Sequence, residues 1–203
     1  MRISKGEIFE RVFVNEEVNL QIDQEAGSHV KIHVINASFS ITVNQLGEGC
    51  ITEIYGLENL HGDESVTAET HVTHAVGGGT SNQLVKFVLA DRARGSFIGD
   101  LKIAPDAQQT EAHQTNRNLL LSDTAEMRTR PQLEIYADDV KATHGASTGQ
   151  LDESALFYMQ QRGIDKQKAR QLLVNAFMKE VVETISDEKI KANILTFFEE
   201  EVF

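Results

Sequence analysis

The chain has 203 residues, a formal net charge of −12 at pH 7 and a pI near 5.0, a balance that excludes the clustered basic surface nucleic-acid binding requires. Its 40% hydrophobic content can bury a real core, yet no run of about 18 apolar residues occurs, so no membrane span is expected. One cysteine, Cys50, rules out an internal disulfide and leaves too few thiolates to hold zinc or an iron–sulfur cluster within one subunit.

The N-terminal stretch MRISKGEIFERVFVNEEV is interrupted by acidic residues before any apolar core develops, unlike a secretory signal. A cytoplasmic protein is the expectation, and the Asn36-Ala37-Ser38 triplet is then no glycosylation site. Strands are predicted at His29–Asn36, Phe39–Asn44, Cys50–Gly56, Val66–Ala75, Leu84–Ala90, Phe97–Ala104, Glu111–Leu121, Glu126–Ala137 and Val140–His144. Many alternate at period two, as in HVKIHVI, where Val30, Ile32 and Val34 oppose Lys31 and His33. No helix-length pattern separates them, which argues against a doubly wound sheet. A sandwich, a barrel and a solenoid all fit. Short strands at fairly regular intervals, with Asn116 and Asn118 among apolar residues, favour the solenoid, although no strict repeat is visible.

After Gln150 the period changes, dividing the chain into a β-part (1–151) and a helical part (152–203). Asp152 is a candidate N-cap for ESALFYMQQRG, with Gly163 as its stop, and Asp165 is the next cap. Ala169, Leu172, Leu173, Ala176, Phe177, Val181 and Ile185 then form one apolar stripe. A third helix, roughly 187–200, carries Ile190, Ile194, Leu195 and Phe198. The aromatics of this tail are expected to pack in a core, with some surface left to cover the end of the β-part or to meet another protein.

Few residues promise chemistry. Cys50 reads as a small buried strand residue. His71 and His74 would sit on opposite faces of one strand and cannot readily share an ion. Asp138 and Asp139 are opposed in the same way and suit a turn. The run AVGGGTSNQ lacks the lysine and helix of a phosphate loop and reads as a flexible turn. Arg92 and Arg94 make a small solvated basic patch. No G-x-S-x-G elbow supports a hydrolytic triad. His144 remains, at a predicted strand end and followed by Gly145, Ala146, Ser147, Thr148 and Gly149. These small residues would let a neighbouring backbone or bulky ligand approach, and a free ring edge could coordinate metal. A hydrogen-bonded structural histidine fits the same pattern.

The segments FIG (97–99), NLLLSD (118–123), PQLEIYADDVK (131–141), THGASTGQLD (143–152) and LFYMQQRGI (156–164) resemble, in fixed order, the C-terminal half of the SufD branch of the SufB/SufD family. The similarity is close over about residues 84–185 and looser upstream. It implies a right-handed parallel β-helix followed by a C-terminal helical domain, in a non-catalytic scaffold subunit for iron–sulfur cluster assembly. It further implies pairing with a SufB-like subunit through the β-helix and docking of a SufC-like ABC-type ATPase on the helices. His144 would then lie at the SufB–SufD interface, supplying a metal ligand to a transient iron–sulfur cluster whose other ligands come from the partner. Many family members carry cysteine where this chain has Ala142, and they are commonly about twice as long. As a short form or fragment, the chain would expose a coil edge and could self-associate as a homodimer. Two other readings stay open at this stage. One is a β-helix lyase or hydrolase of polysaccharides using Asp138, Asp139 and His144; the other is a purely structural interaction module.

Overall fold

The structure, a computed structural model that describes residues 1–200, is a parallel β-solenoid flanked by three helices. Strands β1 (Arg2–Ile3), β3 (Val18–Gln24), β5 (Phe39–Gln45), β7 (Ser65–His74), β9 (Arg94–Ile103) and β11 (Glu126–Ile135) form one six-stranded sheet in chain order. The alternate strands β2 (Ile8–Val14), β4 (His29–Ile35), β6 (Ile51–Leu60), β8 (Thr80–Leu89), β10 (Thr110–Leu120) and β12 (Val140–Gly149) form the other. Every coil thus gives one strand to each sheet, and each strand pairs in parallel with its counterpart one coil away.

Register decides the core. Ile22, Val43, Val72, Leu101 and Leu133 stack as one interior column of the first sheet. Val30, Ile32 and Val34 face inward from the second, as the alternation of HVKIHVI requires. At the corners the interior is polar, and its side chains bond from coil to coil. Gln24 Nε2 donates to Ile51 O (3.0 Å), Gln45 Nε2 to Thr52 Oγ1 and Thr80 O (both 2.8 Å), and His74 Nε2 lies 2.8 Å from Ser81 Oγ. Buried polar groups therefore hold coil to coil where the chain turns. Cys50 is buried as expected, but in a corner just before β6, its thiol directed at the carbonyls of Glu25 and Gly47. The AVGGGTSNQ run is a turn only through Gly79; Thr80 already begins β8.

The helices follow their caps. Asp152 accepts from Ser154 N ahead of α1 (Glu153–Gln161), and Gly163, at φ 83°, ends it in the left-handed region. Asp165 caps α2 (Lys166–Val182), and Asp187 accepts from Lys189 N and Ile190 N at the start of α3 (Glu188–Glu200). Residues 201–203 of the expected helical part lie outside the described residues. Instead of covering the end of the solenoid, the helices lie along the outer face of the second sheet. Ile35, Tyr55, Leu57, Leu84, Val88 and Leu119 share a core there with Val174, Met178, Val181, Val182, Ile185 and Ile194. The stripe on α2 is only partly the predicted one: Ala169 and Val181, with Ile185 just beyond the helix, are buried as expected, but Val174, Met178 and Val182 are buried with them and Leu172 is exposed. Pinned beneath α2 is Lys86, 2% exposed, which donates to Phe177 O (2.7 Å), ion-pairs with Glu180 and lies 4.3 Å from the Phe177 ring centre. Arg117 holds the same Glu180 carboxylate at 3.0 Å. Burial lowers the Lys86 pKa, and the Lys86 hydrogen bond keeps Glu180 below the usual carboxylate range.

Three buried groups make stability depend on pH. Burial pushes the Glu58 carboxyl well above its ordinary range, only partly opposed by the Ala37 N–H that donates to it at 2.8 Å. Above about pH 4.5 the unfolded chain releases this proton while the folded chain keeps it, so Glu58 erodes stability as pH rises. Glu58→Gln is expected to raise the urea midpoint at pH 7.5 and leave it nearly unchanged at pH 4.5; equal midpoints at pH 7.5 would contradict a buried neutral acid. His33 and His74 act oppositely. Burial lowers each to about 4, so the unfolded chain takes up protons first and stability falls between about pH 6.5 and 4.

Candidate functional site at the open end of the solenoid

The last coil consists of β11 and β12, and among the described residues no strand follows either. Val140, Ala142, His144, Ala146 and Thr148 of β12 stack on Thr110, Ala112, Gln114, Asn116 and Asn118 of β10. The β10 residues are buried, so their β12 partners continue the interior columns. Across the lumen Met127, Thr129, Pro131, Leu133 and Ile135 continue the columns of Gly95, Phe97, Gly99, Leu101 and Ile103. With no coil above, this cross-section of the core meets solvent: Ile135 is 43% exposed, and His144, Ala146 and Thr148 are exposed. The end of the solenoid is an apolar rim carrying one imidazole.

This placement corrects the sequence reading on one point. The strand predicted to stop at His144 runs on to Gly149, so His144 sits in mid-strand and the small residues after it are strand residues. Gly145, Ser147 and Gly149 face outward, and nothing lies within 4 Å of where a Cβ at either glycine would be. Ala142 shares the interior face with His144. The long edge of β12 also leaves its backbone donors and acceptors free for another strand.

The His144 ring hydrogen-bonds to no described residue, and a neutral imidazole offers one lone pair to a metal. Among the described residues no group of three or more His, Cys, Asp or Glu could hold a metal ion. Any ion held by His144 would take its other donors from outside these residues. Beneath it, Gln114 Nε2 reaches Gln83 Oε1 at 3.4 Å, while Gln114 Oε1 has no partner among the described residues. Gln114 was not among the sequence-predicted candidates, although its alternation with Ala112 and Asn116 marks a polar side chain at an interior position.

The remaining candidates separate. Asp138 and Asp139 form the exposed corner between β11 and β12, where Asp139 N donates to Gln108 Oε1 and Asp139 O accepts from Gln109 N. His144 lies about 16 Å further along the strand, at ~3.3 Å per residue, too far for the carboxylates and imidazole to act on one bond. His74 is inside the coil and His71 outside, 2.9 Å from Asp100 Oδ2, on opposite faces as the spacing predicts. Arg92 pairs with Asp63 in an exposed turn. On the helices Phe157 and Tyr158 are 63% and 60% exposed. A groove of about 290 Å³ runs between α2 and α3, lined by Leu172, Asn175, Met178, Val182, Leu195 and Phe198. No described helix is long and apolar enough to cross a membrane.

The family model for the SUF system FeS cluster assembly, SufBD core domain, matches residues 14–177, reaching far upstream of the segments quoted above. The chain is 37% identical over 186 residues to the iron-sulfur cluster assembly protein SufD of Escherichia coli (strain K12), covering 90% of this chain and 44% of that protein. It is 33% identical over 176 residues to protein ABCI7, chloroplastic, of Arabidopsis thaliana, covering 84% and 37%. Against the SufD of Bacillus subtilis (strain 168) the figures are 32% over 162 residues, 79% and 37%. The chain therefore spans less than half the length of these relatives. A match that runs from the end of β2 into α2 takes in both the solenoid and the site on it, and the chain belongs to the SufBD family.

Proposed function

We propose that the chain is a non-catalytic scaffold subunit of an iron–sulfur cluster assembly complex, and that His144 is its contribution to the growing cluster. The observation that carries this reading is the open last coil: an apolar cross-section needs a cover, and it holds one exposed imidazole at its centre. A SufB-like subunit laid against β11 and β12 buries the rim and brings the sulfur ligands this chain lacks. Imidazole can replace thiolate at iron in some clusters, so a mixed nitrogen and sulfur site between the chains is chemically sound. The outward Gly145, Ser147 and Gly149 let a partner backbone come close.

The helices are the docking site for a SufC-like ATPase, whose nucleotide-driven movement reaches the second sheet through the shared core and the Lys86–Glu180 contact. The pairing at β12 then loosens and closes again around iron and sulfide, which are the cargo. Anaerobic reconstitution of the complex with His144→Ala tests this. Iron and sulfide retained per complex are expected to fall about 10-fold or more, the usual effect of losing a ligand's support, while subunit pairing persists. Unchanged iron and sulfide would overturn the role of His144 and leave a structural interaction module.

A further inference from the structure

The geometry points to Gln114 as the positioning residue that fixes which imidazole nitrogen His144 presents at the open end, an inference that rests on the donor role proposed above. Gln83, Gln114 and His144 are consecutive members of one interior column of the second sheet. The two carboxamides form a short ladder, with Gln114 Nε2 donating to Gln83 Oε1 at 3.4 Å. That orientation leaves Gln114 Oε1 as a buried acceptor without a partner among the described residues. An orphaned carbonyl inside a core costs about 1–3 kcal/mol, so a donor on the next rung has a strong incentive to meet it. The next rung is His144, whose ring is itself without a hydrogen bond among the described residues. Paired strands lie about 4.8 Å apart, so rotation about side-chain bonds joins the two without moving the backbone.

A second observation holds the amide in place. A Cβ on Gly99, across the lumen, would stand 2.5 Å from Gln114 Nε2 and 2.7 Å from its Cδ. The absent side chain at Gly99 is the space the Gln114 carboxamide occupies. Packed on one side and hydrogen-bonded beneath, the amide has little freedom to turn. Its carbonyl accepts the N–H of the imidazole's inner nitrogen, which leaves the lone pair on the nitrogen facing outward. Ligating histidines are commonly held in this way, with the non-ligating nitrogen donating to a carbonyl or carboxylate. An imidazole of opposite tautomer would turn an N–H toward the partner and could not bind iron.

The test reads the tautomer directly, from the imidazole ¹⁵N shifts of the full chain without iron, at a pH where the ring is neutral. One tautomer is expected to dominate by about 10-fold. Gln114→Leu, with folding checked by its urea transition, is expected to release the ring to a mixture like that of free histidine. Gln114→Glu is expected to restore the single tautomer, because a carboxylate still accepts and the unpartnered Gln83 Nε2 can turn to donate to it. A wild-type ring already mixed, or one unaffected by Gln114→Leu, overturns the inference. So does a ring locked in the wild type but loosened by Gln114→Glu, since the amide would then be donating. These spectra stand apart from cluster yield. A locked ring together with a harmless His144→Ala substitution would remove the donor role while leaving Gln114 as the orienting group.

Discussion

Gly47→Ala is expected to destabilise the protein by about 3 kcal/mol or more, at the top of the range for overpacking. A Cβ at Gly47 would stand 2.0 Å from Ala26 N, 2.5 Å from Ala26 Cα and 2.7 Å from Glu25 C. All three are backbone atoms of the preceding coil's corner. Gly27 N donates to Glu48 O at 2.8 Å across the same contact, so neither corner can retreat without breaking a coil-to-coil bond. Gly145→Ala is the matched control, because nothing lies within 4 Å of its Cβ position, and its change is expected within about 0.5 kcal/mol. Urea midpoints of the two variants decide the matter. If Gly47→Ala unfolded at the same urea concentration as Gly145→Ala, the corners would not be in backbone contact.

The second large effect concerns the two sides of one ion pair. Glu180→Ala removes the principal anion from Lys86, whose side chain is 2% exposed, and is expected to cost about 1–2 kcal/mol. The Phe177 carbonyl and ring still face the ammonium, and Glu180 is half-exposed, so the loss stays below that of breaking a fully buried pair. Lys86→Met is expected to be nearly neutral or slightly stabilising, because an apolar chain of similar length fills the slot without desolvating a charge. Making both changes together should recover most of the stability lost in Glu180→Ala. Hydrogen exchange gives a local readout: α2 amides are expected to open faster in Glu180→Ala and at the wild-type rate in Lys86→Met. If the two single variants were equally destabilised, the pair itself would be a net stabiliser and Lys86 would not be replaceable by an apolar chain.

The solenoid was legible where strands alternate cleanly. All strands from β4 on were anticipated, most of them with starts within a few residues. Strands β1, β2 and β3 were missed, and the reason is visible in β2: its interior positions are Phe9, Arg11 and Phe13, and Arg11 breaks the apolar alternation while its guanidinium lies 4.9 Å from the Phe13 ring centre. The repeat was hidden because the coil is not constant in length. Partners run from Ile8 to His29 and from His29 to Ile51 early on, but from Ile51 to Thr80 and from Glu111 to Lys141 later. On α2 the apolar residues satisfy two neighbours, the sheet and α3, and periodicity alone could not say which set faced the sheet.

For the site, residue types carried His144 but not its setting. Gly, Ala, Ser and Thr have too little hydropathy contrast to show period two, so the second half of β12 looked like a loop. That the histidine lies on the interior face of an uncovered coil follows from pairing with β10, which no local window contains. Gln114 was hidden for a related reason. A glutamine inside a strand looks like a surface residue until register puts it between Gln83 and His144.

The growth of the strands from seven residues in β2–β5 to ten in β6–β9 gives the solenoid a girth that widens toward its exposed end. The wider coils enclose a larger apolar cross-section, so covering the last one removes more apolar surface from water than covering a seven-residue coil would.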